Sequence, residues 1–264
     1  MIPNSTVISF VVAAIFTLLA PIAIIIVLAV KKRINGLPLL FGALAFSLSQ
    51  VVLRIPLLSF LSGQEWFIRF QILYYIPFIL LISLSAGLFE ESARLGGALL
   101  LKKRRSFKDI ISFGLGHGLC EVILLVGFSH LSNTILCLTI NSDAGVNTTA
   151  IPAQMIEMAV FQLAAVNPVH VYLGIMERFS AVLFHIFATV LVFKGVIDKK
   201  KRYYVIAIAA HTMFNFIGIV LTQYAGVYIG EAAILLMGLS AGGYVLKYKN
   251  TQTQPRKQKY EQDY

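Results

Sequence analysis

Four stretches of this chain place ionisable side chains where a lipid bilayer would surround them. Glu90, Glu91 and Arg94 stand together as Glu-Glu-Ser-Ala-Arg. His117 and Glu121 follow as Gly-His-Gly-Leu-Cys-Glu, then Glu177 and Arg178 with His185, then His211 and Asn215 as His-Thr-Met-Phe-Asn. His117 and Glu121 are four apart, as are His211 and Asn215, so each pair shares a helix face. Glu90 and Arg94 have the same spacing and can pair. Three imidazoles and a carboxylate suit a zinc ion with an open position for water. Zinc lowers the pKa of that water towards neutrality, and a second carboxylate can serve as general base.

The elements that must bring these groups together are membrane spans. The 264 residues are 58% hydrophobic and 13% charged, with a mean hydropathy of +0.81. A bilayer core takes about 20 apolar residues per helical span. The sequence predicts an all-α, polytopic transmembrane bundle of about seven spans: 7–30, 37–61, 68–101, 110–128, 171–197, 203–224 and 228–246. Residues 1–246 read as one bundle, with the site helices in 68–128 and 171–224. Residues 131–149 read as a polar loop, Pro152 to Ala165 as a shorter interfacial helix, and 247–264 as a flexible cytoplasmic tail. Met1 to Phe10 carries no Lys or Arg, so the first apolar run reads as a retained helix and not a signal peptide.

The net charge of +10 lies in short basic clusters, which suits topology signals and argues against nucleic acid as a partner. Lys31–Arg33, Lys102–Arg105, Lys199–Arg202 and the stretch from Lys247 follow spans 1, 3, 5 and 7. Basic loops are retained inside, so the N-terminus is predicted outside and the C-terminus in the cytoplasm of a plasma membrane. Glu91 lies 11 residues before Lys102, His117 12 after Arg105, His185 14 before Lys199 and His211 9 after Arg202. At 1.5 Å per residue all four sit roughly 14–21 Å from the basic ends, in one plane. That depth favours access from the cytoplasmic side. Cys120 and Cys137 are too few for a disulfide framework.

In order and spacing, Glu90-Glu91-x-x-Arg94, Gly116-His117-Gly118-x-x-Glu121, Glu177-Arg178 with His185, and His211-x-x-x-Asn215 resemble the YhfC-type intramembrane metalloproteases. These are similar to the CAAX prenyl protease type II and PrsW families. The match spans about half the chain. One departure is the Glu-Glu-x-x-Arg spacing, where the CAAX pattern has three intervening residues. The resemblance implies hydrolysis of peptide bonds within the membrane, with a membrane protein or lipid-embedded peptide as substrate. It implies a catalytic set of Glu90, Glu91, Arg94 and Asn215 and a zinc set of His117, His185, His211 and Glu121.

Blander and rival readings stand beside it. Gly114, Gly116 and Gly118 flank His117 as residues of close helix packing would. Glu177-Arg178 reads equally as an ion pair near the outer side, and Arg54 as a partner for some carboxylate. The same Glu and His residues would also serve a proton-coupled transporter or channel as a relay, and a scaffold would use them only for packing. The oligomeric state is not encoded in any of these features.

Overall fold

The computed structural model describes residues 1–142 and 152–253, and these are helical almost throughout. Among them, seven helices are long and apolar enough to cross a membrane. Only a helix or a closed barrel satisfies every backbone polar group inside lipid. The spanning helices are α1 (Asn4–Val30), α2 (Gly36–Ser62), α4 (Tyr75–Leu100), α5 (Phe107–Asn141), α7 (Pro168–Ile197), α8 (Arg202–Ala225) and α9 (Val227–Thr253). Two shorter helices lie between them, α3 (Glu65–Leu73) and α6 (Ala153–Ala164). The chain is a multi-pass membrane protein.

Helices α5 and α7 form the centre. In their most apolar stretches 61% and 67% of residues are buried, against 22–33% in the other spans. α2 packs along α5, α8 along α4, and α9 against α7 and α8. The α2–α5 contact depends on glycine. A Cβ on Gly116 would lie 1.9 Å from the Leu39 carbonyl oxygen, and one on Gly42 would lie 2.0 Å from that of Phe113. The two backbones therefore touch, as small residues allow in membrane bundles.

The basic clusters share one face of the bundle. The Asn35 side chain donates to Asp109 Oδ1 at 2.6 Å, and its backbone N–H to Ser112 Oγ at 2.8 Å, tying the α1–α2 turn to the start of α5. Ser106 and Asp109 close a capping box there. Phe107 meets Tyr248 near the end of α9, and Lys194 near the end of α7 lies over both Tyr203 and Tyr248. At the opposite face the Asn141 amide is bonded to Ile2 N–H and C=O at 2.7 and 2.8 Å.

Three differences from the sequence reading have physical causes. The span expected over 68–101 is two helices, broken at Tyr74 (φ −129°, ψ 54°). Pro77 has no N–H for the carbonyl of residue 73 and would clash with it in a continuous helix, so the chain restarts at Tyr75. The span expected to end at Phe128 continues to Asn141. Its polar residues resemble a loop, but Thr134 and Thr139 donate to carbonyls four residues back, and Cys137 is buried against α1. The rest of the expected loop, from Asp143, lies outside the described residues. Finally, α9 runs on to Thr253, so residues 247–253 are helix and not tail.

Two π-helical stretches interrupt the spans, Ser47–Arg54 in α2 and Val122–Gly127 in α5. In the first, Ile55 N–H reaches Gln50 C=O, five residues back, immediately before Pro56, which cannot join an α-helical ladder. The second begins one residue after Glu121. Both border the cluster of ionisable side chains.

Close backbone contact makes a direct prediction. Gly116→Ala forces α2 from α5 and should cost on the order of 1–3 kcal/mol, read as a thermal midpoint several degrees lower in detergent. Gly174→Ala, where an added Cβ meets nothing within 4 Å, should leave the midpoint unchanged or raise it slightly.

Candidate functional site

Four helices bring Glu90, Glu91, Arg94, His117, His185 and His211 into one buried cluster. Glu90 and Glu91 are consecutive on α4 and face different partners. Glu90 is ringed by imidazole nitrogens: His117 Nε2 is 2.9 Å from its Oε2, His185 Nδ1 3.8 Å from the same oxygen, and His211 Nε2 3.7 Å from Oε1. Glu91 is paired with Arg94, one turn along the same helix, and its Oε1 lies 2.7 Å from His211 Nδ1. The expected Glu90–Arg94 pair is thus a Glu91–Arg94 pair, at i,i+3. Arg94 also donates from Nη2 to His185 Nδ1 at 3.1 Å.

Each of two imidazoles is pinned by a carboxylate. His211 offers Nδ1–H to Glu91 and turns Nε2 towards Glu90. Glu121 Oε2 lies 2.5 Å from His185 Nε2, and Nδ1, which accepts from Arg94, is on the Glu90 side. A carboxylate on the far nitrogen is the arrangement that orients metal-ligating histidines. His117 sits against the edge of Phe46, and its Nδ1 has no hydrogen-bond partner, like Glu91 Oε2. Buried polar atoms without partners are costly. Glu121 also pairs with Arg178 at 3.2 Å, and Arg178 with Glu177.

Among the described residues, one group has donor atoms that could converge on a metal: Glu90, His117 and His185, all within 4.8 Å of one another. Two imidazoles and a carboxylate fit zinc and neighbouring divalent metals, and the residues present fit such an ion. The expected set of His117, His185, His211 and Glu121 is redistributed. Glu90 enters the group, Glu121 stands behind His185, and His211 stands across Glu90. Cys120 lies apart, 3.5 Å from Ser47.

The cluster opens into a cavity of about 490 Å³ whose wall includes Glu90, Glu121, His185, His211 and Asn215. Glu91, Arg94 and His117 are not on that wall. The wall continues along α8 to Gln223 and along α9 to Glu231, away from the basic clusters.

The family comparison bears on the same residues. The profile of the family described as YhfC intramembrane metalloprotease matches residues 16–236, which include every residue of the cluster. The chain belongs to the YhfC family. It is 30% identical over 141 residues to "Uncharacterized membrane protein YhfC" of Bacillus subtilis (strain 168), covering 50% of this chain and 52% of that protein. The chain thus spans about half the length of its YhfC relative. No solved structure matches it.

One residue that sequence reasoning missed touches the centre of this YhfC-family site. Gln50, buried in the π-helical stretch of α2, donates from Nε2 to Glu90 Oε1 at 2.6 Å. Its own Oε1 accepts from Arg54 Nη1 at 3.0 Å. Arg54 therefore reaches Glu90 through an amide instead of pairing with a carboxylate, and its other donors go to Ser85 Oγ and Ile82 C=O. The one sequence signal was an amide four residues before an arginine in an otherwise apolar span.

Gln50→Leu removes one bond to Glu90 and one to Arg54, leaving both groups short of a partner. A loss of about 1–3 kcal/mol is expected, seen as a lower unfolding midpoint in detergent. Leu53→Ala, at an exposed position of the same stretch, should have a far smaller effect.

Proposed function

We propose that this protein is a zinc-dependent intramembrane endopeptidase of a bacterial plasma membrane. The observation that carries this reading is the ring of three imidazole nitrogens around the buried Glu90 carboxylate, open to a cavity lined by charged and apolar side chains. Glu90, His117 and His185 would hold the metal, with His185 Nδ1 giving up its hydrogen bond from Arg94. A zinc ion held there brings a water pKa towards neutrality and polarises a peptide carbonyl.

The chain's own residues supply the proton handling. His211 gives Nδ1–H to Glu91, so its Nε2 carries a lone pair towards Glu90 on the cavity wall. In that tautomer Nε2 accepts the proton of the attacking water and later returns it to the leaving amine. Glu91 holds the imidazole in this state, as the carboxylate of a catalytic triad does, and is itself paired with Arg94. Glu121, fixed by Arg178, does the same for His185. Asn215, one turn beyond His211 on the wall, is placed to donate to a substrate carbonyl. The substrate is a membrane protein or lipid-embedded peptide whose chain enters the cavity.

A proton channel would need a continuous polar path to both faces. The side of the cluster towards the basic ends is filled instead by Phe113, Phe193, Val190 and Ile110, all buried. This packing argues against a continuous channel.

Metal content tests the proposal. Purified without chelators, wild type should carry about one zinc per chain, as a single mononuclear site requires. His117→Ala and His185→Ala should lose it while eluting as folded protein. Well-folded wild type without zinc would sink the metal reading. Glu91→Gln separates the roles. It should keep the metal, yet cut cleavage of fluorescein-labelled casein in detergent by about 10²–10⁴-fold.

A further inference from the structure

The cavity is one-sided, and its direction can be read from helix register. On α8, His211 marks the floor and Gln223 the outermost lining residue. These 12 residues correspond to about 18 Å of rise, directed away from Arg202 and its basic cluster. On α7 the wall runs from His185 back to Glu177, and on α4 from Glu90 back to Ile82. Each of these directions also leads away from the basic end. α9 contributes Glu231, in its second turn after Val227 at the same distal end.

The two sides of the site differ in chemistry as well. The distal wall carries Arg54, Glu177, Arg178, Thr222, Gln223 and Glu231. Charged groups in a membrane bundle face one another or a water-filled space. Arg178 is shared by Glu121 and Glu177, while Arg54 is held by neutral acceptors on α2 and α4. The proximal side is a continuous apolar layer. Ala98, Phe113, Val190 and Phe193 are wholly buried in it, and the Phe113 and Phe193 rings meet edge to face at 5.4 Å. The charged and polar groups of the distal wall share it with apolar side chains such as Leu125, Phe214 and Ile219, and the open space between them reaches Glu90, His185 and His211 without crossing that layer. From the basic face a peptide would have to displace it.

We propose that the polypeptide substrate enters this site from the membrane face opposite the Lys/Arg clusters. By the retention of basic loops in the cytoplasm, that is the outer face. The inference rests on the endopeptidase reading for the word substrate, and on the register of the cavity for the direction. It reverses the expectation that the depth of the residues had suggested. The bonds cleaved then lie at the outer end of a substrate's membrane segment, and the products separate into the outer leaflet and the extracytoplasmic space.

Cysteine accessibility tests the direction without requiring activity or metal. In a Cys120→Ala, Cys137→Ala background, single cysteines replace Gln223, Ile219 and Asn215, a ladder of one helix face from the mouth to the floor. Lys200→Cys marks the basic face. Intact cells and inverted vesicles are treated with a membrane-impermeant methanethiosulfonate. Residual thiols are then read by the gel shift from a polyethylene-glycol maleimide after denaturation.

The expected result is loss of the shift at all three ladder positions in intact cells, with Lys200→Cys reacting only in inverted vesicles. Ladder positions that react only in inverted vesicles overturn the proposal. So does a Lys200→Cys that reacts in intact cells, because the orientation would then be reversed. Protection of Ile219→Cys from both sides while Gln223→Cys reacts would also overturn it, by closing the vestibule above the site. Ile219→Cys carries the result should Asn215→Cys fail to fold. A zinc-free but outward-accessible protein would refute the hydrolase reading and leave the direction standing.

Discussion

Glu90 and Glu91 put two neighbouring carboxylates at mid-depth in a bundle of apolar helices, where an unpartnered charge is prohibitively unstable. Much of the fold can be traced to how these two are accommodated. Glu91 has Arg94 on its own helix and His211 from α8. Glu90 has Gln50 from α2, His117 from α5 and two further imidazoles just beyond hydrogen-bond distance. These partners come from five helices, so α2, α4, α5, α7 and α8 must approach closely at one depth. The backbone contact of Gly116 with Leu39 serves that approach. The π-helical stretch in α2, with its wider turn, sets the face on which Gln50 emerges.

Packing and chemistry are separated along the membrane normal. Between the cluster and the basic clusters, aromatic and branched side chains fill the bundle. On the other side the same helices spread around a cavity whose wall mixes charged and apolar side chains. A soluble hydrolase keeps its site at a surface and its core elsewhere. In this chain the core forms the floor of the site, and substitutions in the floor would disturb the imidazoles through their backbones. The glycines around His117 serve close helix packing, while His117 itself meets Glu90 from another face of α5.

The sequence carried the number of spans and the depth at which the ionisable side chains meet, because hydropathy and basic clusters report on lipid directly. It did not carry the partner of each residue. Glu90 and Arg94 stand four apart and looked like a pair. Helix rotation gave Arg94 to Glu91, since the imidazoles of α5 and α7 claim the Glu90 side. Gln50 was invisible because its role comes from a π-helical turn that no local periodicity announces. The polar run after His130 resembled a loop because its hydroxyls are satisfied by their own helix, a solution that composition does not reveal. Depth alone says how far a residue lies from a boundary, not which side of it is packed, so the direction of the cavity had to come from the packing.

The Glu91–Arg94 pair on one turn of α4 also bears on the order in which the protein is made. The chain is synthesised from its N-terminus, so α4 enters the membrane before α5, α7 and α8 exist. At that stage Glu91 has only Arg94 within its own turn, and Glu90 has only Gln50, already delivered by α2. The two partners that come earliest in the chain are those that neutralise or cap the carboxylates while the imidazoles are still to come. His211 arrives last, and with it the ring around Glu90 closes. A ribosome that stops short of α8 leaves a bundle whose polar centre is already buried and still incomplete.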